Sequence, residues 1–133
     1  MSAVFADTSG LLALLNEHDE FHPRAENAFG KLRARRVPLI STSYVLVETY
    51  ALIGRRLGIE AVRSFRENFA PLLEVTWVDA PLHDAGLDLL LHRGKRRLSL
   101  VDAVSFVAMR QNGISEALAF DPHFEQEGYV LIV

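Results

Sequence analysis

Residues 3–15 read AVFADTSGLLALL. An apolar run of four residues meets Asp-Thr-Ser-Gly and passes straight into a second apolar stretch. Four residues are too few for a helix and suit a strand buried on both faces, as in a parallel sheet. The spacing predicts a strand over 3–6 and a helix over 8–17. Working outward, the same alternation recurs. Phe21, Ala25, Ala28, Phe29 and Leu32 fall at helical spacing within 20–36, and VPLIS (37–41) reads as a short strand. Residues 43–58 read as a helix closing on Arg-Arg-x-Gly, and 59–73 as another with Pro71 near its end. EVTWV (74–78) is rich in β-formers. Residues 81–94 open on Pro and close on Gly, and 99–113 close on Asn-Gly, so both read as helices. EALAF (116–120) and YVLIV (129–133) complete the strands. Strands alternating with helices predict an α/β fold, a parallel sheet covered on both faces. Ligands of such sheets bind beyond the carboxyl ends of the strands, where the strand order reverses.

The chain has 133 residues, half of them hydrophobic, which suits a single domain spanning 1–133 with a real core. It has no cysteine, which removes disulfides, thiol catalysis and zinc–thiolate sites together. The N-terminus shows no signal-peptide pattern and every apolar run is broken well short of a bilayer span, so a cytoplasmic protein without membrane attachment is expected. Net charge is −3, yet 12 of the 14 basic residues are Arg, clustered at 33–36, 55–56 and 93–97. Arg presents a flat fork suited to phosphate, while cations also suit helix C-termini with no ligand involved.

Four carboxylates carry the chemical signal. Asp7 follows the first strand and precedes a helix, the place of an N-cap. Ser99-Leu-Val-Asp102 fits a capping box, which accounts for Asp102 without any function. Asp121, in ALAFDPHF, sits where Asp-Pro opens a turn or a short helix. Glu48 differs, because it lies inside the helix of SYVLVETYALI among apolar neighbours, where capping cannot explain it. If the four converge, they cannot all stay ionised unless a cation neutralises them. An all-oxygen donor set selects a hard ion, Mg²⁺ or Mn²⁺, which binds substrate phosphates, so phosphodiester hydrolysis is the natural chemistry. Setting those four aside leaves 13 of the 17 acids against 14 bases, and the Arg clusters can then face a polyanion.

DTSGLLALL, the helical Glu of STSYVLVETYAL and the block LSLVDAVSFVAMRQNGISEALAFDPHF together resemble the PIN-domain family, and within it the VapC-type toxin ribonucleases of bacterial toxin–antitoxin pairs. The resemblance covers nearly the whole chain. It implies a three-layer α/β/α sandwich on a parallel sheet of about five strands. It also implies an Mg²⁺ or Mn²⁺ site built from Asp7, Glu48, Asp102 and Asp121, with Asp7 and Asp102 as direct ligands and Glu48 binding metal or orienting the attacking water. Thr8 or Ser9 would steady a ligand carboxylate or touch substrate, and Arg96 and Arg97 would contact substrate phosphates. The implied reaction is endonucleolytic cleavage of RNA. The implied partners are an RNA substrate, a cognate antitoxin and a second copy of the chain.

Other chemistries fit less well. A haloacid-dehalogenase-type phosphotransferase needs a second Asp where Ser9 stands, and a receiver domain needs a late Lys, whereas Lys31 and Lys95 are the only lysines. His18 and His22 lack the Glu of a zinc-hydrolase motif and read as surface residues. The remaining alternative is a non-catalytic module of the same fold that binds RNA or protein, its acids serving only as caps.

Overall fold

The computed structural model describes residues 2–133. Five short strands form: β1 Val4–Ala6, β2 Leu39–Thr42, β3 Leu73–Thr76, β4 Glu116–Leu118 and β5 Val130–Leu131. Every pairing is parallel, and the order is β3-β2-β1-β4-β5. The connections carry α1 Thr8–Leu15, α2 His22–Ala34, α3 Ser43–Leu57, α4 Ile59–Asn68, α5 Ala80–Arg93, α6 Leu100–Gln111 and α7 Pro122–Gln126. The chain steps outward from β1 through β2 to β3, then crosses back to lay β4 on the other side of β1. The strand order therefore reverses between β1 and β4, at the centre of the sheet.

Side chains on a strand point alternately to the two faces, and the core divides accordingly. Val4, Leu39 and Leu118 pack with Ala25, Ala28 and Leu32 of α2 and Ala13 and Leu14 of α1. Phe5, Ala117 and Ala119 face the other way, into a larger cluster with Val45 and Ile53 of α3, Phe65 of α4, Phe106 and Met109 of α6, and Phe124 of α7. Phe106 stands edge-on to Phe124 at 4.9 Å between ring centroids, an arrangement favoured by the ring quadrupoles. The outcome is helices on both sides of a fully parallel sheet, the three-layer sandwich expected from the sequence.

Two glycines set how closely the layers approach. A Cβ on Gly10 would lie 2.2 Å from the Leu118 carbonyl oxygen, so α1 rests directly against the backbone of β4. A Cβ on Gly86 would lie 2.4 Å from a methyl of Val104, so α5 is seated against α6.

The expected elements are all present, though several bounds differ: α1 stops at Leu15 rather than 17, and β3 covers Leu73–Thr76 rather than 74–78. The helix expected over 59–73 stops at Asn68, and 70–72 is a single 3-10 turn that runs straight into β3. Pro71 has no N–H to donate and its ring would strike the carbonyl four residues back. The strands expected at 116–120 and 129–133 pair only over 116–118 and 130–131, because β4 ends where Asp121 caps the short helix α7. His18 is a surface residue as expected, but His22 is not: its side chain is only 19% exposed. Its Nδ1 lies 2.7 Å from the Ala13 carbonyl and donates to it, occupying one of the acceptors left open where α1 ends.

Gly10→Ala is expected to lower the stability of the chain by roughly 1–3 kcal/mol, as overpacking against a backbone atom does. Urea unfolding measures the change, and an unaltered midpoint contradicts the close approach of α1 to β4.

Candidate active site

Three aspartates stand at three chain corners on the carboxyl side of the sheet, and each is fixed by a helix start. Asp7 ends β1 and caps α1, its Oδ2 accepting from the Ser9 hydroxyl at 2.6 Å and the Ser9 N–H at 3.2 Å. Asp102 sits in the first turn of α6. Its Oδ2 accepts the Ser99 N–H at 3.3 Å while Ser99 Oγ accepts the Asp102 N–H at 3.1 Å, the complete capping box read from the sequence. Asp121 follows β4 and caps α7 through Oδ1, which accepts the His123 N–H at 2.9 Å. In each case capping occupies one carboxylate oxygen. The other, Oδ1 of Asp7 and Asp102 and Oδ2 of Asp121, accepts no hydrogen bond among the described residues.

These three acids line one open pocket of about 260 Å³ together with Thr8, Ser9, Leu12, Glu48, Leu52 and Ser99. Glu48 arrives from the middle of α3. That helix is anchored by Thr42, whose hydroxyl accepts the Val45 N–H, and by Val45, Leu46 and Ile53 in the core. Of the residues flanking Glu48, Val47 points outward and is 67% exposed. Thr49 is fully buried and donates to the Thr8 hydroxyl at 3.3 Å, tying α3 to α1. Ser9 does more than cap. Its hydroxyl also accepts the Phe120 N–H at 2.9 Å, joining the end of β1 to the end of β4.

Crowding of acids shows in their ionisation. Burial pushes the Asp7 carboxyl from the ordinary 3.8 up to about 7, the Ser9 hydroxyl pulls the other way, and the charges of Asp102 and Asp121 add to the rise. Asp102 is also held above the usual carboxylate range, first by burial and then by Asp121 and Glu48. The N-terminal ends of α1 and α6 offset part of this repulsion by directing backbone N–H groups at the acids. The remainder is relieved by a retained proton or by a cation.

All four carboxylates singled out in the sequence, and Thr8 and Ser9, therefore share one pocket at the reversal of strand order. Arg96 and Arg97 do not line it. They are exposed in the loop that leads into Ser99. One residue to which sequence reasoning gave no role stands close by. Asp102, Asp121 and His123 present potential ligand atoms within 4.8 Å of one another, whereas Asp7 and Glu48 line the pocket outside that trio. The available signal was the Asp-x-His spacing at a helix start, which brings the ring back toward its own cap. A separate hollow of about 320 Å³ at the amino end of the sheet holds a single acid, Glu116, beside Lys31 and Arg35.

Comparison with known proteins places this geometry. The model of the PIN domain matches residues 4–127. The 23S rRNA-specific endonuclease VapC20 of Mycobacterium tuberculosis is 37% identical over 129 residues, covering 96% of this chain and 95% of that protein. The crystal structure of M. tuberculosis VapC20, described as a Sarcin-Ricin loop cleaving toxin, superposes with a TM-score of 0.84 at 35% identity, covering 96% of this chain and 97% of that one. VapBC2 from Rickettsia felis, solved bound to a DNA fragment from its promoter, shares the fold at a TM-score of 0.72 and 16% identity, over 98% and 97% of the two chains. With its parallel sheet, its acid-lined pocket at the strand reversal and this extent of matching sequence, the chain belongs to the PIN-domain family.

Proposed function

We propose that this chain is a metal-dependent endoribonuclease, the toxin of a type II toxin–antitoxin pair. The observation that carries the reading is the convergence of Asp7, Glu48, Asp102 and Asp121 on one pocket, three of them keeping a free oxygen after capping. Identity to a 23S rRNA-specific endonuclease along almost the full length supports RNA as the substrate class and makes structured rRNA loops the first targets to test.

The residues suit a divalent ion. The donors are carboxylates and hydroxyls, the preference of Mg²⁺ and Mn²⁺, and a buried acid crowded by two others is the setting a cation relieves. Asp7 and Asp102 would hold the ion, with Glu48 and Asp121 around it. Bound there, a divalent ion stabilises charge on the attacked phosphate and lowers the pKa of a water nucleophile. Ser9 keeps Asp7 in one orientation. Glu48, its backbone locked in α3, accepts the proton of the attacking water through its carboxylate. Thr8 and Ser9 border the seat of the scissile phosphate. Arg96 and Arg97, exposed in the loop that precedes Ser99, bind flanking phosphates, giving affinity with little sequence reading. Sequence choice then falls to RNA shape and unstacked bases.

Two partners follow. VapBC assemblies among the structural relatives support a cognate antitoxin as a partner. A homodimer is supported by the exposed apolar side chains Val47 on α3 and Leu87 and Leu91 on α5. The two helices are linked by the Tyr44 hydroxyl and His83 Nδ1, 2.5 Å apart. Among the described residues no helix is long and apolar enough to cross a membrane.

Purified chain is expected to cut RNA with Mg²⁺ or Mn²⁺ and to stop with EDTA. Asp102→Asn removes charge stabilisation worth several kcal/mol, so cleavage falls by at least on the order of 100-fold. Undiminished cutting by Asp102→Asn points to a contaminant or another mechanism, and a purified chain that cuts no RNA with either ion favours a non-catalytic RNA- or protein-binding module. Asp7 also makes stability depend on pH. Its folded pKa of about 7 exceeds the ordinary 3.8, so between these values the folded state keeps a proton that the unfolded chain has lost. In chelator, stability therefore falls as pH rises from about 4 to about 7. Asp7→Asn cannot ionise and its amide oxygen still accepts from Ser9. At pH 8 in EDTA it should be more stable than the parent by up to about 4 kcal/mol, with the gain gone near pH 4 and cleavage lost throughout. Thermal melts across pH measure this, and a less stable Asp7→Asn at pH 8 contradicts it. Leu91→Glu should convert a dimer to a monomer in light scattering, and a parent chain that is already monomeric removes the homodimer.

A further inference from the structure

The geometry points to His123 as a metal ligand, forming with Asp102 and Asp121 a nitrogen-containing subsite that favours Mn²⁺ over Mg²⁺. This inference rests on the proposed metal-dependent reading and adds to it a donor outside the four acids.

His123 is the second residue of α7, and its side chain is 18% exposed beside the 25% exposed Asp121. Its Nδ1 is buried and makes no hydrogen bond among the described residues. That nitrogen nonetheless stands 2.9 Å from Asp121 Oδ1. The contact is close without being a hydrogen bond, because the ring nitrogen is not aimed along the line to the oxygen. Asp121 Oδ1 is already engaged by the His123 backbone N–H. An orphaned buried nitrogen is costly, and a charge pair with good geometry would have removed the cost.

The arrangement has a second reading. Asp121 keeps its Oδ2 free of the cap, and His123, Asp121 and Asp102 form a trio whose ligand atoms all lie within 4.8 Å of one another. It is the one trio of His and carboxylate side chains at that spacing among the described residues. The support behind it is rigid. Phe124, the next residue, is fully buried against Phe5 and Phe106. The far end of α7 is followed by Glu127, which accepts from Arg93 Nε at 2.8 Å and Nη2 at 3.2 Å. An imidazole suits first-row transition ions and adds little for Mg²⁺, which demands hard oxygen donors. A nitrogen in the trio therefore raises affinity for Mn²⁺ selectively.

Pulsed EPR of Mn²⁺ added to the chelator-stripped chain tests this without any substitution. Modulation from a directly coordinated ¹⁴N is expected, and its absence overturns the proposal. In calorimetric titration, His123→Ala should weaken Mn²⁺ binding roughly 10-fold or more, abolish the ¹⁴N signal, and change Mg²⁺ binding far less. Equal losses for both ions, or none for either, overturn it. His123→Asn, which keeps a polar side chain on α7, is measured alongside in case His123→Ala unfolds, and the same loss of ¹⁴N signal is expected. Asp102→Asn should weaken both ions. A parent chain that binds Mn²⁺ and cuts RNA without ¹⁴N coordination defeats this inference alone, whereas one that binds neither ion defeats the metal-dependent reading as well.

Discussion

The hydroxyl of Ser9 is the smallest part of the molecule on which most of the rest depends. It donates to Asp7 at 2.6 Å and accepts from the Phe120 N–H at 2.9 Å. One oxygen thus connects the ends of β1 and β4, the two strands between which the sheet changes direction. Next to it, Gly10 lets α1 lie on the Leu118 carbonyl. Moving α1 outward by the width of a methyl group would part Ser9 from Phe120 and release Asp7 from its orientation. The site is therefore a property of how two neighbouring strands and one helix close on each other.

Capping and chemistry are usually weighed against one another as explanations of an acid at a helix start. Here they are the same arrangement. Asp7, Asp102 and Asp121 each lend one oxygen to a backbone N–H and keep the other free. A cap holds a short side chain with few rotatable bonds in a single rotamer, the preorganisation that a charged site needs. Helix starts also supply partial positive charge, which lets acids gather that would otherwise repel one another into solvent. What remains uncompensated appears as the raised Asp7 and Asp102 carboxyls.

The parallel sheet explains why these starts meet. Each strand hands the chain to a helix on the same edge, so helix N-termini accumulate at the carboxyl end of the sheet. The basic clusters obey the opposite logic. Arg33, Arg55, Arg56 and Arg93 lie in last turns of helices, where cations complement the dipole, and Arg93 is spent on Glu127. Arg96 and Arg97, past the end of α5 and just ahead of α6, are exposed and lie in no helix.

By itself, the sequence determined the alternation of strands and helices, the parallel sheet, the capping box at Ser99 and Asp102, and the four acids worth following. These are local signals, written in runs and spacings of a few residues. It also separated Glu48 from the others, because mid-helix position excludes capping. It misread the end of the helix after residue 59, where Pro71 forces a 3-10 turn, and it took His22 for a surface residue. Only the tertiary structure decided that β4 lies beside β1, which brings residues 7 and 121 together across more than a hundred positions. Only it turned Ser9 into a bridge, buried Thr49 while exposing Val47, and set the His123 ring against Asp102 and Asp121. Strand order and ring orientation are fixed by packing between segments distant in sequence, and no pattern within one segment records which distant neighbour it will meet.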